Sequence, residues 1–84
     1  MVVQKMVRFT FPKKLLKQPM IYSLIRKFDL LTNIVQANVT QEEGWMILDI
    51  RGGSTTVQQA LAWMTEQGVQ VHTLSAEEEA ACRS

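Results

Sequence analysis

The sequence predicts a single α+β sandwich in which a four-stranded antiparallel sheet carries two helices on one face. Three observations predict it. Four segments alternate apolar and polar residues with the period of a strand. Two others repeat apolar residues at helical spacing, one after the first strand and one after the third. No linker or low-complexity block divides the 84 residues, a length that suffices for one domain.

Val7-Arg8-Phe9-Thr10-Phe11 alternates strictly and reads as the first strand. Val3 and Lys5 share the parity of Val7, so the strand can begin earlier. Pro12 ends it, because proline cannot donate to a ladder. A basic loop over 13–18 follows. Pro19 suits the first turn of a helix, where its missing N–H has no partner to lose. Ile21, Leu24, Ile25 and Phe28 then fall at i, i+3, i+4 and i+7, which predicts a helix over 19–29.

Asn33 to Thr40 reads as the second strand, with Val35, Ala37 and Val39 on one face and Ile34, Gln36 and Asn38 on the other. Gln41-Glu42-Glu43-Gly44 is a hairpin connection. Trp45 to Arg51 is the third strand. Gly52-Gly53 breaks the pattern, and Ser54 or Thr55 can cap a second helix. Its apolar stripe is Val57, Ala60, Leu61 and Met64, and Gly68 stops it. Val69 to Leu74 is the fourth strand. The domain is expected to span 1–75, with an acidic tail over 76–84 that either frays or forms a short helix capped by Ser75.

The order β-α-β-β-α-β is that of a split βαβ, or ferredoxin-like, sandwich. Right-handed crossovers place both helices on one face of the sheet. The expected strand order is 4-1-3-2. The helix-covered face then holds Phe9, Phe11, Val35, Val39, Met46, Leu48, Ile50, Val69 and Val71. The other face carries Met6, Arg8, Thr10, Ile34, Gln36, Asn38, Trp45, Ile47, Asp49, Gln70, His72 and Leu74. A face open to water is normally polar, so the hydrophobes of this set predict a contact surface. Arg8 and Asp49, on adjacent central strands, are either a surface ion pair or the holders of an amino acid's carboxylate and ammonium.

Composition excludes several functions. A hydrophobic fraction of 46% and a charged fraction of 20% suit a soluble globular domain. No apolar run approaches the ~20 residues needed to cross a bilayer, and no signal peptide opens the chain, so the expected location is cytoplasmic. One cysteine, Cys82, and one histidine, His72, cannot make an internal disulfide or a zinc site. No phosphate-binding loop or catalytic constellation is present. No metal, cofactor or enzymatic activity is expected. Residues 1–40 carry seven Lys/Arg against Asp29 alone, whereas 41–84 carry seven acids against Arg51 and Arg83. Such asymmetry raises nucleic-acid binding. The outer face offers only Trp45 for stacking, however, and lacks the aromatic signature of an RNA-recognition motif.

Asp29-Leu30-Leu31-Thr32-Asn33-Ile34-Val35 resembles the segment that gives the NIL domain its name, with Asn33-Ile34-Val35 standing for an Asn-Ile-Leu triplet. Phe9-Thr10-Phe11-Pro12 resembles the end of that family's first strand. The run from Gly44 to Gly52 resembles its glycine-bounded third strand. Ala60-Leu61-Ala62-Trp63-Met64, followed by Gln67-Gly68-Val69-Gln70-Val71, resembles its second helix and fourth strand. The likeness covers residues 7–74.

The resemblance implies function. NIL domains close the ATPase subunits of methionine-import ABC transporters, where they dimerise and bind methionine, which inhibits transport. The triplet's Asn is implicated in sensing, and it matches Asn33. This chain contains no ATPase segment, so a standalone sensor is expected. It would bind methionine or a related sulfur amino acid at a homodimer interface. The candidate ligand residues are Asn33, Ile34 and Val35 from the triplet, and Arg8, Asp49 and Trp45 from the outer face. The alternative is a protein-interaction module serving a transporter or an iron–sulfur redox partner.

Overall fold

The computed structural model describes residues 1–83. Its elements are β1 (Val2–Pro12), a short 3-10 turn (Lys13–Leu15), α1 (Met20–Lys27), β2 (Leu31–Val39), β3 (Glu43–Gly53), α2 (Ser54–Glu66), β4 (Gln70–Thr73) and α3 (Ala76–Arg83). The sheet is antiparallel in the order β2-β3-β1-β4, as the sequence predicts. No described helix is long and apolar enough to cross a membrane.

The core lies between the sheet and the layer made by α1 and α2. Val7, Phe9, Leu48 and Ile50 meet Leu24, Val57, Ala60 and Met64, all fully buried. In α1 the buried pair is Met20 and Leu24, and Ile21 and Phe28 pack at its margins. Ile25, expected in the stripe, is 43% exposed. The β3 residues that share the core face end on Gly52. A Cβ there would stand 2.6 Å from Leu30 Cδ2, so the bare backbone lets the buried Leu30 close the core. α2 ends in a Schellman motif. Val69 N–H donates to Met64 O at 3.1 Å and Gly68 N–H to Thr65 O at 3.0 Å. Gly68 takes φ +98°, which glycine adopts without a Cβ clash.

Four expectations need correction. First, β2 contains a bulge. Ile34 pairs with Leu48 and Gln36 with Ile47, so Val35 is the extra residue between them. One inserted residue reverses side-chain parity. Ile34 therefore shares the helix-side register of Leu48, and Asn33 shares the outer face with Asp49. Second, Val35 and Val39 are not core. Val35 is half-buried and Val39 is 65% exposed, because β2 is the outermost strand. Third, no side chain caps α2. Gly53 occupies the cap position, and the Ser54 amide instead donates to Met1 O at 2.8 Å.

Fourth, the outer face is not an open apolar surface. Met6 and Ile47 lie on it, yet they are only 1% and 5% exposed and stand outside the main core cluster. The element on that side is α3. Ser75 and Glu78 start it with a capping box: Glu78 N–H donates to Ser75 Oγ at 3.2 Å, and Ser75 N–H donates to the Glu78 carboxylate at 2.9 Å. The same carboxylate reaches His72 Nε2 at 3.0 and 3.1 Å, which ties α3 to the outer face of β4. The exposed large hydrophobes lie away from the centre of that face, with Leu31 at its β2 edge. Apart from Met1 and Val2, they are Tyr22, Ile25, Leu31, Ile34 and Val39, all on α1 and β2.

Candidate functional site

The register builds two rows across the outer face. In one, Asp49 on β3 stands between Asn33 on β2 and Met6 on β1. In the next, Arg51 stands between Leu31 and Gln4. Residues two apart on a strand share a face, so the rows are neighbours. Gln4 links them. Its amide nitrogen donates to both Asp49 carboxylate oxygens, at 2.9 and 2.8 Å, and its amide oxygen accepts from Arg51 Nη2 at 2.8 Å. A carboxylate and a guanidinium are thus held side by side in a fixed order. Gln4, Leu31, Thr32, Asn33, Asp49 and Arg51 line a shallow concavity of ≈ 190 Å³. It opens at the sheet edge, where β2 has no neighbouring strand.

The structure divides the six predicted ligand residues. Asn33 and Asp49 come together as cross-strand partners. Arg8 and Trp45 form a separate pair on the same face, with the guanidinium carbon 4.7 Å from the indole centroid. Arg8 stands opposite Ile47, not Asp49, and the ring takes its guanidinium. Ile34 points to the other face, and Val35 occupies the bulge. Sequence reasoning missed Gln4, Leu31, Thr32 and Arg51. Gln4 shares the parity of Met6 and Arg8, and Arg51 shares that of Asp49. Extending the first two strands to Val2 and Leu31 brings them in. No group of three or more potential metal ligands occurs among the described residues.

Comparison with known proteins agrees with this fold. The NIL domain family matches residues 5–73. The chain is 35% identical over 69 residues to methionine import ATP-binding protein MetN 2 of Acinetobacter baylyi, covering 77% of this chain and 20% of that protein. It is 34% identical over 73 residues to MetN of Coxiella burnetii, covering 82% of this chain and 21% of that one. It therefore spans about a fifth of the length of these relatives, in their C-terminal region. The crystal structure of the C-terminal domain of an ABC transporter ATP-binding protein from Enterococcus faecalis superposes with a TM-score of 0.74 at 20% identity, over 86% of this chain and 84% of that one. That likeness shows the same fold. With the match running from β1 through β4, the chain belongs to the NIL domain family.

Proposed function

We propose that this domain is a regulatory module, not a catalyst, and that it senses methionine or a related sulfur amino acid at an interface between two copies. The observation that carries the reading is the pair of rows at the open edge. An α-amino acid presents an ammonium and a carboxylate a few ångströms apart. Asp49 and the Asn33 amide oxygen suit the ammonium, Arg51 suits the carboxylate, and Leu31 offers apolar surface to the thioether. Gln4 holds the two charged groups in register. The relatives' role in methionine import supports the choice of ligand.

The concavity is too shallow to enclose a ligand alone. A second copy paired along β2 would close it, and the exposed Leu31, Ile34 and Val39 support that surface. An edge strand without proline or lysine is open to pairing. The unit is residues 1–75, with α3 appended, and it acts in the cytoplasm beside a transporter ATPase. The exposed hydrophobes of α1 and β2 also favour a second reading, in which the same edge docks a transporter subunit.

Isothermal calorimetry with methionine tests the proposal. Loss of a hydrogen bond to a charged group costs about 1.5–3 kcal/mol, so Asn33→Ala and Arg51→Ala should each weaken binding roughly tenfold or more. Both side chains are exposed, so the fold should persist. Absence of heat with millimolar methionine would falsify the ligand assignment and leave the protein-docking reading.

A further inference from the structure

The helical layer carries a second charged and aromatic surface, on the opposite side of the sheet from the Asn33–Asp49 row. α1 and α2 border a shallow groove lined by Tyr22, Ser23, Arg26, Lys27 and Trp63. Rings hold its two cations. Arg26 lies over Tyr22, 5.7 Å from the ring centroid, and donates to the Tyr22 hydroxyl at 3.0 Å. The Lys27 ammonium stands 5.9 Å from the centroids of both Phe28 and Trp63. Those two rings meet edge to face at 6.0 Å. Among the described residues, no carboxylate forms an ion pair with either cation.

A carboxylate cancels the charge that it orders. A ring orders a cation and leaves its charge on display. Charges ordered before binding lose less entropy when a partner arrives. Tyr22 is 60% exposed beside them, and no acidic residue lines the groove. Tyrosine, tryptophan and arginine are the side chains that most often dominate protein interfaces.

We infer that the α1–α2 groove docks an acidic segment of a partner protein, whose carboxylates meet Arg26 and Lys27 and whose apolar side chains lie on Tyr22 and Trp63. Charge complementarity selects the occupant. Nucleic acid fits less well. Stacking needs free ring faces, whereas Phe28 and Trp63 meet edge to face beside Lys27 and Tyr22 carries Arg26 over one face. The site is independent of the ligand reading, because it shares no residue with the outer-face concavity.

A Glu-rich peptide with interspersed leucines is the probe, and proton–nitrogen correlation NMR on the full chain is the readout. Peptide should shift the amides of Tyr22, Arg26 and Lys27 and the indole N–H of Trp63. Added salt should weaken the effect. The double variant Arg26→Gln, Lys27→Gln should lose about tenfold or more in affinity. A control, Lys14→Gln with Lys17→Gln, should bind as the parent does. Both pairs are exposed, and the spectrum itself reports whether the fold is kept. Three outcomes overturn the inference. One is no shift at millimolar peptide, and another is shifts confined to residues outside the groove. The third is equal binding of a single-stranded oligonucleotide or of anionic vesicles at the same four residues, which would make the groove a general polyanion surface.

Discussion

Gln4 decides what the outer-face concavity can do. With its nitrogen on Asp49 and its oxygen on Arg51, it fixes both charged groups and takes up part of their hydrogen-bonding capacity. An exposed network of this kind contributes little to stability, so under the proposed function its effect falls on binding. Gln4→Ala should leave the melting temperature nearly unchanged and still weaken methionine binding, as calorimetry beside a thermal melt would show. A large loss of stability with unchanged affinity would assign Gln4 to the fold. Gly68 is the contrasting case. Its φ of +98° strains any residue with a Cβ, at a cost of about 1–2 kcal/mol. Urea denaturation of Gly68→Ala should report that loss, with methionine affinity untouched. Gly68 was legible, because a lone glycine after an apolar helical stripe signals a stop. The Asn33–Asp49 pairing was not. Strict alternation gives Asn33 the parity of Val35 and not that of the outer face, and nothing in Asn33-Ile34-Val35-Gln36 marks the bulge.

At the scale of elements, α3 shows how local and tertiary signals divide. Ser75-Ala76-Glu77-Glu78 is a readable capping box, so a short tail helix was foreseeable. That Glu78 ties it to the outer face of β4, on the side of Met6 and Ile47, was not, because the link is one contact between His72 and Glu78 across the chain turn. That contact carries a pH dependence. The Glu78 carboxyl sits below its usual range because it accepts the Ser75 amide and bonds the His72 ring. A depressed carboxyl stabilises the folded state above the ordinary glutamate pKa, and this contribution is lost as pH falls through the depressed value. α3 should therefore undock on acidification below the ordinary glutamate range. A dye that reports apolar surface should then brighten as Met6 and Ile47 are uncovered. Glu78→Gln should remove most of that acid step and raise the dye signal at neutral pH. Deleting 75–84 should raise it at every pH while strand signals persist, because the four strands end at Thr73. A truncated chain as dark as the parent would mean that α3 covers nothing.

The whole molecule was legible in topology and misread at its edges. The strand order and the shared helix face follow from the order of elements and the hand of crossovers, neither of which depends on any one side chain. The contact surface depends on which strands are covered. Alternation assigned it to the outer face, whereas the exposed large hydrophobes, apart from Met1 and Val2, lie on β2 and α1. A core this small leaves little margin in one copy, and Leu31, Ile34 and Val39 line the unpaired edge at 70%, 58% and 65% exposure. Two copies joined along β2 would bury that edge and extend the sheet. Light scattering coupled to gel filtration should then give twice the monomer mass of 9.6 kDa, and the melting temperature should rise with protein concentration, as it does when only the folded state associates. Ile34→Lys places a charge on the edge, a device that natural sheets use against pairing. Because Ile34 is exposed in the single copy, the variant should keep its fold, elute as a monomer and bind methionine weakly, with half of the enclosure gone. If it remains dimeric, β2 is not the contact. If it is monomeric and binds as tightly as the parent, the concavity of one copy is enough and the second copy serves another purpose.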